Sequence, residues 1–101
     1  MPISYSAAKN ETNIEERGLS FEAVRDFDML KAFIVEDGRK VYEERRFQAL
    51  GLIGERLHML VFTPRGPKMH VISLRKANPR EIKRYEQAHQ QRDIGREPGM
   101  G

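Results

Sequence analysis

The chain has no cysteine and no tryptophan. Without cysteine, disulfides, thiolate chemistry and cysteine-based zinc sites are excluded. Long apolar runs are missing as well: none approaches the roughly 20 residues a helix needs to cross a bilayer. The first residues lack the charged-then-apolar pattern of a secretory signal, so a soluble, cytoplasmic protein with no membrane partner is expected. Histidine is scarce, with three in 101 residues. No grouping of His, Asp and Glu has the spacing of a metal site, so neither a metal nor another cofactor is expected. No segment repeats.

What is present is enough for one domain. A chain of this size buries about two thirds of its unfolded surface, so one modest core is possible. The balance of 18 Lys and Arg against 15 Asp and Glu gives a formal charge of +3. That is a weak signal, but its distribution is not. Residues 56 to 92 hold nine Lys or Arg against two acids, Glu81 and Glu86. A basic half points to an anionic partner such as RNA or DNA, the plain alternative being a solvated helix face.

The densest stretch runs from Arg56 through Tyr85. It contains two β-rich runs, Arg56–Thr63 and Lys68–Arg75, around a Pro64–Pro67 turn. A helix follows with a clear start: Asn78 as cap, Pro79 at the first position and Glu81 closing a capping-box-like pair. It should reach about Gln90. Before this stretch, Ile3–Tyr5 reads as a short extended start. Ser6 caps a helix over Ala7–Arg17 that Gly18 ends. Asn10, Thr12 and Asn13 form helices poorly, so this one needs tertiary support. Ser20 caps a second helix, Phe21 to about Leu30, with an apolar face of Phe21, Val24 and Phe27. Ala32–Val35 and Arg46–Ile53 read as strands, separated by a polar turn at Glu36–Lys40. The expected class is α+β: two N-terminal helices, an antiparallel sheet of about four strands and a C-terminal helix. One domain is expected over residues 1–92, with a disordered tail over 93–101.

If Pro64–Pro67 is a four-residue loop, Thr63 pairs with Lys68, Val61 with His70 and Met59 with Ile72, and Arg56 comes near Arg75. Alternation then puts Leu50, Leu52, Leu57, Met59, Val61, Ile72 and Leu74 on one face, with Arg46, Gln48, Thr63, Lys68 and His70 at its end. The other face carries Phe47, Ala49, Leu60, Phe62, Met69 and Val71, with Arg56, His58, Ser73 and Arg75. Two polar corners result, Arg46/Lys68/His70 and Arg56/Arg75. The first has a group that titrates near neutral pH.

Three segments resemble the BrnT family, ribonuclease toxins of bacterial type II toxin–antitoxin pairs with a RelE-like fold. The first is Leu60-Val-Phe-Thr-Pro-Arg65 with Val71-Ile-Ser-Leu-Arg-Lys-Ala77 and Arg80-Glu81…Tyr85. The second is the opening Tyr5-Ser6…Lys9…Asn13…Gly18…Ser20-Phe21, and the third is Glu44…Arg46-Phe47…Gly51. The likeness covers roughly residues 3 to 86. Departures are Tyr5-Ser6 where Trp-Asp is usual, Glu16-Arg17-Gly18 for Lys-His-Gly, and His70 for an Arg.

The resemblance implies an endoribonuclease that cuts RNA without a metal, by attack of a ribose 2′-OH on the adjacent phosphate. Such a reaction needs a base, an acid and cations for the developing charge. On that reading the catalytic set is Arg46, Arg65, His70, Arg75 and Tyr85, with Lys68, Lys76 and Arg80 binding RNA. His70 supplies acid or base, the arginines multi-donor phosphate contacts. Other roles stay open: an ordinary sheet histidine for His70, an ion pair with Glu44 or Glu81 for Arg46 and Arg75, packing with Ile82 for Tyr85. Lys9 and Asn13 read as structural, Lys83 and Arg84 as a solvated helix face. The family pattern further implies a cognate antitoxin of ribbon-helix-helix type, with promoter DNA bound only through it. The alternative is a non-catalytic domain of the same fold that binds antitoxin or RNA. An autonomous DNA-binding protein is disfavoured, since no helix-turn-helix or ribbon-helix-helix pattern is visible.

Overall fold

The computed structural model of the protein describes residues 2–38 and 43–95. Its class is α+β, and its sheet has five strands rather than four. They are β1 (Ile3–Tyr5), β2 (Phe33–Glu36), β3 (Phe47–Ile53), β4 (Arg56–Arg65) and β5 (Lys68–Lys76), in the order β1-β5-β4-β3-β2. β2 to β5 form the antiparallel meander that their alternation predicts. The fifth strand is the extended start: β1 lies parallel to β5, with Ser4 opposite His70. The sheet is therefore mixed, not purely antiparallel. Three residues are too few to show a period, so nothing local marks Ile3–Tyr5 as a strand.

Helix α1 (Ala7–Arg17) begins and ends as its sequence dictates. Ser6 Oγ accepts from the Lys9 amide at 3.3 Å, and Gly18 closes it at φ 67°, donating its N–H to the Ile14 carbonyl. The poor helix formers are the residues that tether it. Asn10 Oδ1 accepts from the Phe21 amide at 2.8 Å. Asn13, buried, donates from Nδ2 to the carbonyls of Leu19 and Leu74, both at 2.9 Å.

The second expected helix is a 3-10 helix and shorter, Phe21–Asp26. Its apolar residues recur at strict intervals of three, and a 3-10 helix stacks i and i+3 on one side. It stops because Phe27 leaves to bridge Ile53 while the Asp28 amide bonds the Leu52 carbonyl. Gly51 makes room for that crossing: a Cβ there would lie 2.5 Å from the Phe27 ring.

The hairpin between β4 and β5 is tighter than expected. Arg65 pairs with Lys68, so the turn is Gly66-Pro67 with Gly66 at φ 58°, and Thr63 sits opposite His70. Pro64 lies within the strand. It sits past the Phe47–Phe62 pair where β3 ends, so its missing N–H takes nothing from the ladder. A bulge follows: Phe62 pairs with Val71 but Val61 with Ser73, leaving Ile72 as the extra residue. One inserted residue flips everything after it. Leu74 therefore joins Leu60, Phe62, Val71 and Phe21 in the core under α1 and the 3-10 helix, and Arg75 moves to the opposite face. Arg56 pairs with Ile53 and does not meet Arg75.

Helix α2 (Pro79–Gly95) covers part of that opposite face. Ile82 and Tyr85 pack on the second cluster, Leu50, Leu57, Met59 and Ala77. Its start is the capping box predicted: the Glu81 amide donates to Asn78 Oδ1 at 2.9 Å, and the Asn78 amide to Glu81 Oε1 at 3.0 Å. The helix runs past the expected Gln90 to Gly95. Residues 96–101, most of the expected tail, lie outside the described residues, as do 39–42, which include the end of the expected Glu36–Lys40 turn. Among the described residues no helix is long and apolar enough to cross a membrane.

Candidate active site on the sheet face

Among the described residues α2 is the helix on this face, and it packs at the end that carries Leu50, Leu57, Met59 and Ala77. A cavity of about 430 Å³ occupies the junction. Its floor is Gln48, Met59, Val61, Ile72 and Ser73, from the three central strands. Its walls are charged: Arg46 and Asp37 from the β2–β3 side, Arg75 from β5, and Glu81 and Arg84 from α2. Three guanidinium groups thus face two carboxylates, and Asp37 is itself buried.

Arg75 is held by a fork to Glu81. Its two terminal nitrogens donate to the two Glu81 oxygens at 2.8 and 2.7 Å. Those hydrogen bonds hold the Glu81 carboxyl below the usual carboxylate range, helped by the Asn78 amide and the charges of Arg75 and Arg84, against the opposing effect of burial. Glu81 therefore both caps α2 and aims Arg75. Arg84, one turn along the helix, also lies over the Phe33 ring at 5.7 Å. A cation over an aromatic face is attracted by the ring quadrupole.

Further along the same face lies a second group. Glu44 accepts from Arg65 at 2.9 and 2.8 Å. This fork lowers the Glu44 carboxyl pKa, and the charges of His70 and Arg46 act in the same direction. Arg65, Glu44, His70 and Arg46 thus share one electrostatic neighbourhood. His70 is half-buried, and its Nδ1 meets Ser4 Oγ at 3.0 Å across the β1–β5 pair. Burial lowers its pKa from 6.5, Arg65 and Lys9 push it further down, and Glu44 opposes them. The net direction favours the uncharged imidazole.

The structure sorts the residues singled out from sequence. Arg46 and Arg75, expected on opposite faces, line one cavity because the bulge turns Arg75 over. Arg65 and His70 sit further along that face. Lys68 is exposed at the hairpin tip opposite Arg65, two residues from His70 on the same face of β5. Arg80 is exposed on the first turn of α2. Lys76 lies opposite His58, on the other face from Arg75. Tyr85 lies outside the cavity lining: it packs with Ile82 in the second cluster, its ring 4.3 Å from that of His89.

Arg84, one of the cations that could meet a phosphate but read from the sequence as a solvated helix face, lines the cavity, and Asp37 and Ser4 are the site residues that the sequence reading does not single out. Arg84 carried a signal, since it lies three residues after Glu81 and shares its helix face. Asp37 and Ser4 carried none. Among the described residues no three His, Asp or Glu side chains gather closely enough to hold a metal ion.

A family model described as the ribonuclease toxin, BrnT, of type II toxin–antitoxin systems matches residues 5–81. No curated protein matches the chain.

Proposed function

The chain belongs to the BrnT family of ribonuclease toxins, and on that premise we propose that the sheet face cuts RNA with its own side chains, without a metal. A ribonuclease toxin of a type II pair acts on RNA and has a cognate antitoxin. The scissile phosphate lies between the cavity and the Arg65–His70 end, in a RelE-like setting. Neutral His70 takes the proton from the ribose 2′-OH, which attacks the adjacent phosphorus to close a 2′,3′-cyclic phosphate, and the 5′-oxygen leaves as a hydroxyl with a proton from water. Arg46 and Arg75 meet the charge that builds on the phosphate oxygens, Arg75 pre-aimed by its fork to Glu81. Arg65 exchanges Glu44 for phosphate, and Lys68 and Arg80 contact the flanking chain. Tyr85 supports α2, and Lys76 lies outside the reaction.

The observation that carries this reading is His70: a half-buried imidazole that meets Ser4 Oγ through Nδ1, with the charges of Arg65, Glu44 and Lys9 acting on it. The antitoxin is a small ribbon-helix-helix protein that covers the basic face and reads promoter DNA for the pair. The toxin works in the cytoplasm.

The test is induced expression of the chain alone in a bacterial host, with growth and total RNA followed over time. Growth arrest with RNA cleavage is expected, and both are lost in His70→Ala and Arg75→Ala. Normal growth with intact RNA, from folded protein, would overturn the proposal in favour of a domain that only binds.

A further inference from the structure

β1 covers β5 only as far as Val71. Beyond it the outer edge of β5 is met by α1 instead of a strand: Asn13 bonds the Leu74 carbonyl and Arg17 reaches the Ser73 hydroxyl at 3.0 Å. A groove of about 240 Å³ lies along this edge, with Lys9, Thr12, Glu16 and Arg17 on its α1 side and Ile72 and Ser73 on its β5 side. Ile72 and Ser73 also line the larger cavity of the proposed site. The bulge thus stands between two hollows and belongs to both.

We propose that this groove is a second phosphate subsite, which binds the backbone phosphate of single-stranded RNA next to the one being cut. The inference rests on the reading of the sheet face as the ribonuclease site.

Three observations support it. Arg17 holds its place through neutral groups, Asn13 Oδ1 at 3.3 Å and Ser73 Oγ, so neither hydrogen bond neutralises its charge. The Lys9 ammonium lies near enough for its charge to act on the His70 ring. Two cations therefore face one carboxylate, Glu16, in a hollow that shares Ile72 and Ser73 with the cavity. The groove also offers hydroxyls from Thr12 and Ser73, suited to the uncharged parts of a ribose-phosphate chain. An acidic segment of the antitoxin could meet the same cations, but continuity with the cavity through Ile72 and Ser73 favours the strand that must also enter it.

The test measures affinity for a fully 2′-O-methylated RNA oligonucleotide, which cannot be cut, across a range of salt. Lys9→Gln, Arg17→Gln and the double variant are compared with the parent protein at matched melting temperature. Each lost phosphate contact should lower the slope of log affinity against log salt by about 0.7. The double variant should therefore bind several-fold more weakly, with a slope shallower by about 1.4. Arg17→Lys should keep the slope. Lys9→Gln removes no hydrogen bond of the fold, so its result stands even if Arg17→Gln unfolds.

Unchanged affinity in the variants, or weaker binding with an unchanged slope, overturns the subsite. So does weaker antitoxin binding with RNA binding intact. If the parent protein does not bind the oligonucleotide, the subsite and the reading of the sheet face fall together. If the parent binds it and the variants match it while His70→Ala still abolishes cleavage, only the subsite falls.

Discussion

Asn13 is the residue whose replacement tests the fold most directly. Its amide nitrogen donates to two carbonyls at 2.9 Å, Leu19 in the turn after α1 and Leu74 on the open edge of β5. The side chain is 6% exposed, so water does not readily take its place. Asn13→Ala leaves both carbonyls unpaired. At about 1 kcal/mol net for each bond, the loss is about 2 kcal/mol, rising towards 4 if neither carbonyl finds water. For a domain of this length, 2 kcal/mol lowers the melting temperature by about 8–16 °C. Asn13→Asp is nearly the same shape yet should be worse at neutral pH, because an ionised carboxyl puts an acceptor oxygen where the amide donor faced the same two carbonyls. Arg17, which already donates to Asn13 Oδ1, offsets only part of this. The new carboxyl prefers to be protonated in the folded state, so its folded pKa lies above its unfolded one. The folded state then binds more protons, and the deficit should shrink as pH falls through the folded pKa. Urea unfolding followed by far-UV circular dichroism at pH 7 and pH 4 measures both effects. If the variants lie within about 0.5 kcal/mol of the parent protein, or if Asn13→Asp is the more stable at pH 7, the account of how α1 is tethered is wrong.

Gly51→Ala should cost about 1–3 kcal/mol by overpacking, because the added Cβ would lie 2.5 and 2.6 Å from two atoms of the buried Phe27 ring; a shift in urea midpoint reads it. Glu81→Gln should cost about 1–2 kcal/mol at pH 7, at the low end because a third of Arg75 remains in water. The folded pKa of Glu81 is lowered, so its contribution is full above the unfolded value and lost as pH falls through the folded one. Acid unfolding curves of Glu81→Gln should accordingly be flatter than the parent's below about pH 4.5. With His70 as base, cleavage should hold its rate at pH 7 and fall on an acid limb below pH 6.5. Glu44→Gln removes a charge that raises the His70 pKa, so the limb should move to lower pH in cleavage rates measured from pH 5 to 8.

What the sequence disclosed and what it hid divide on physical grounds. Helix ends are set by neighbours in the chain, and Ser6, Gly18 and the Asn78–Glu81 box all sit where their chemistry demanded. β3 and β4, whose alternation predicts strands, are close in the chain and pair through a short turn at Gly54-Glu55 that sets Gln48 opposite Val61. β1 is different, because its partner lies 66 residues away in the chain. The hairpin misled for a separate reason. Two prolines around Arg65-Gly66 read as a loop, yet Pro64 fits inside a strand whose neighbour has already ended. The site inherited these errors: Ser4 beside His70 depends on β1, and Arg75 beside Arg46 depends on the bulge.

The bulge is also where fold and chemistry meet. With regular pairing, Leu74 would leave the core under α1 and Arg75 would point away from Glu81. A single extra residue, Ile72, lets β5 feed Val71 and Leu74 to one core and Arg75 to the opposite face. It sits where β1 ends, so on its outer side no strand ladder has to break for it. There α1 supplies the replacement partners, Asn13 for the Leu74 carbonyl and Arg17 for the Ser73 hydroxyl. The short first strand, the asparagines of α1 and the placing of Arg75 are thus one arrangement. Lengthening β1 by pairing would compete with α1 for the edge of β5, and with it for the register that brings Arg75 to Arg46.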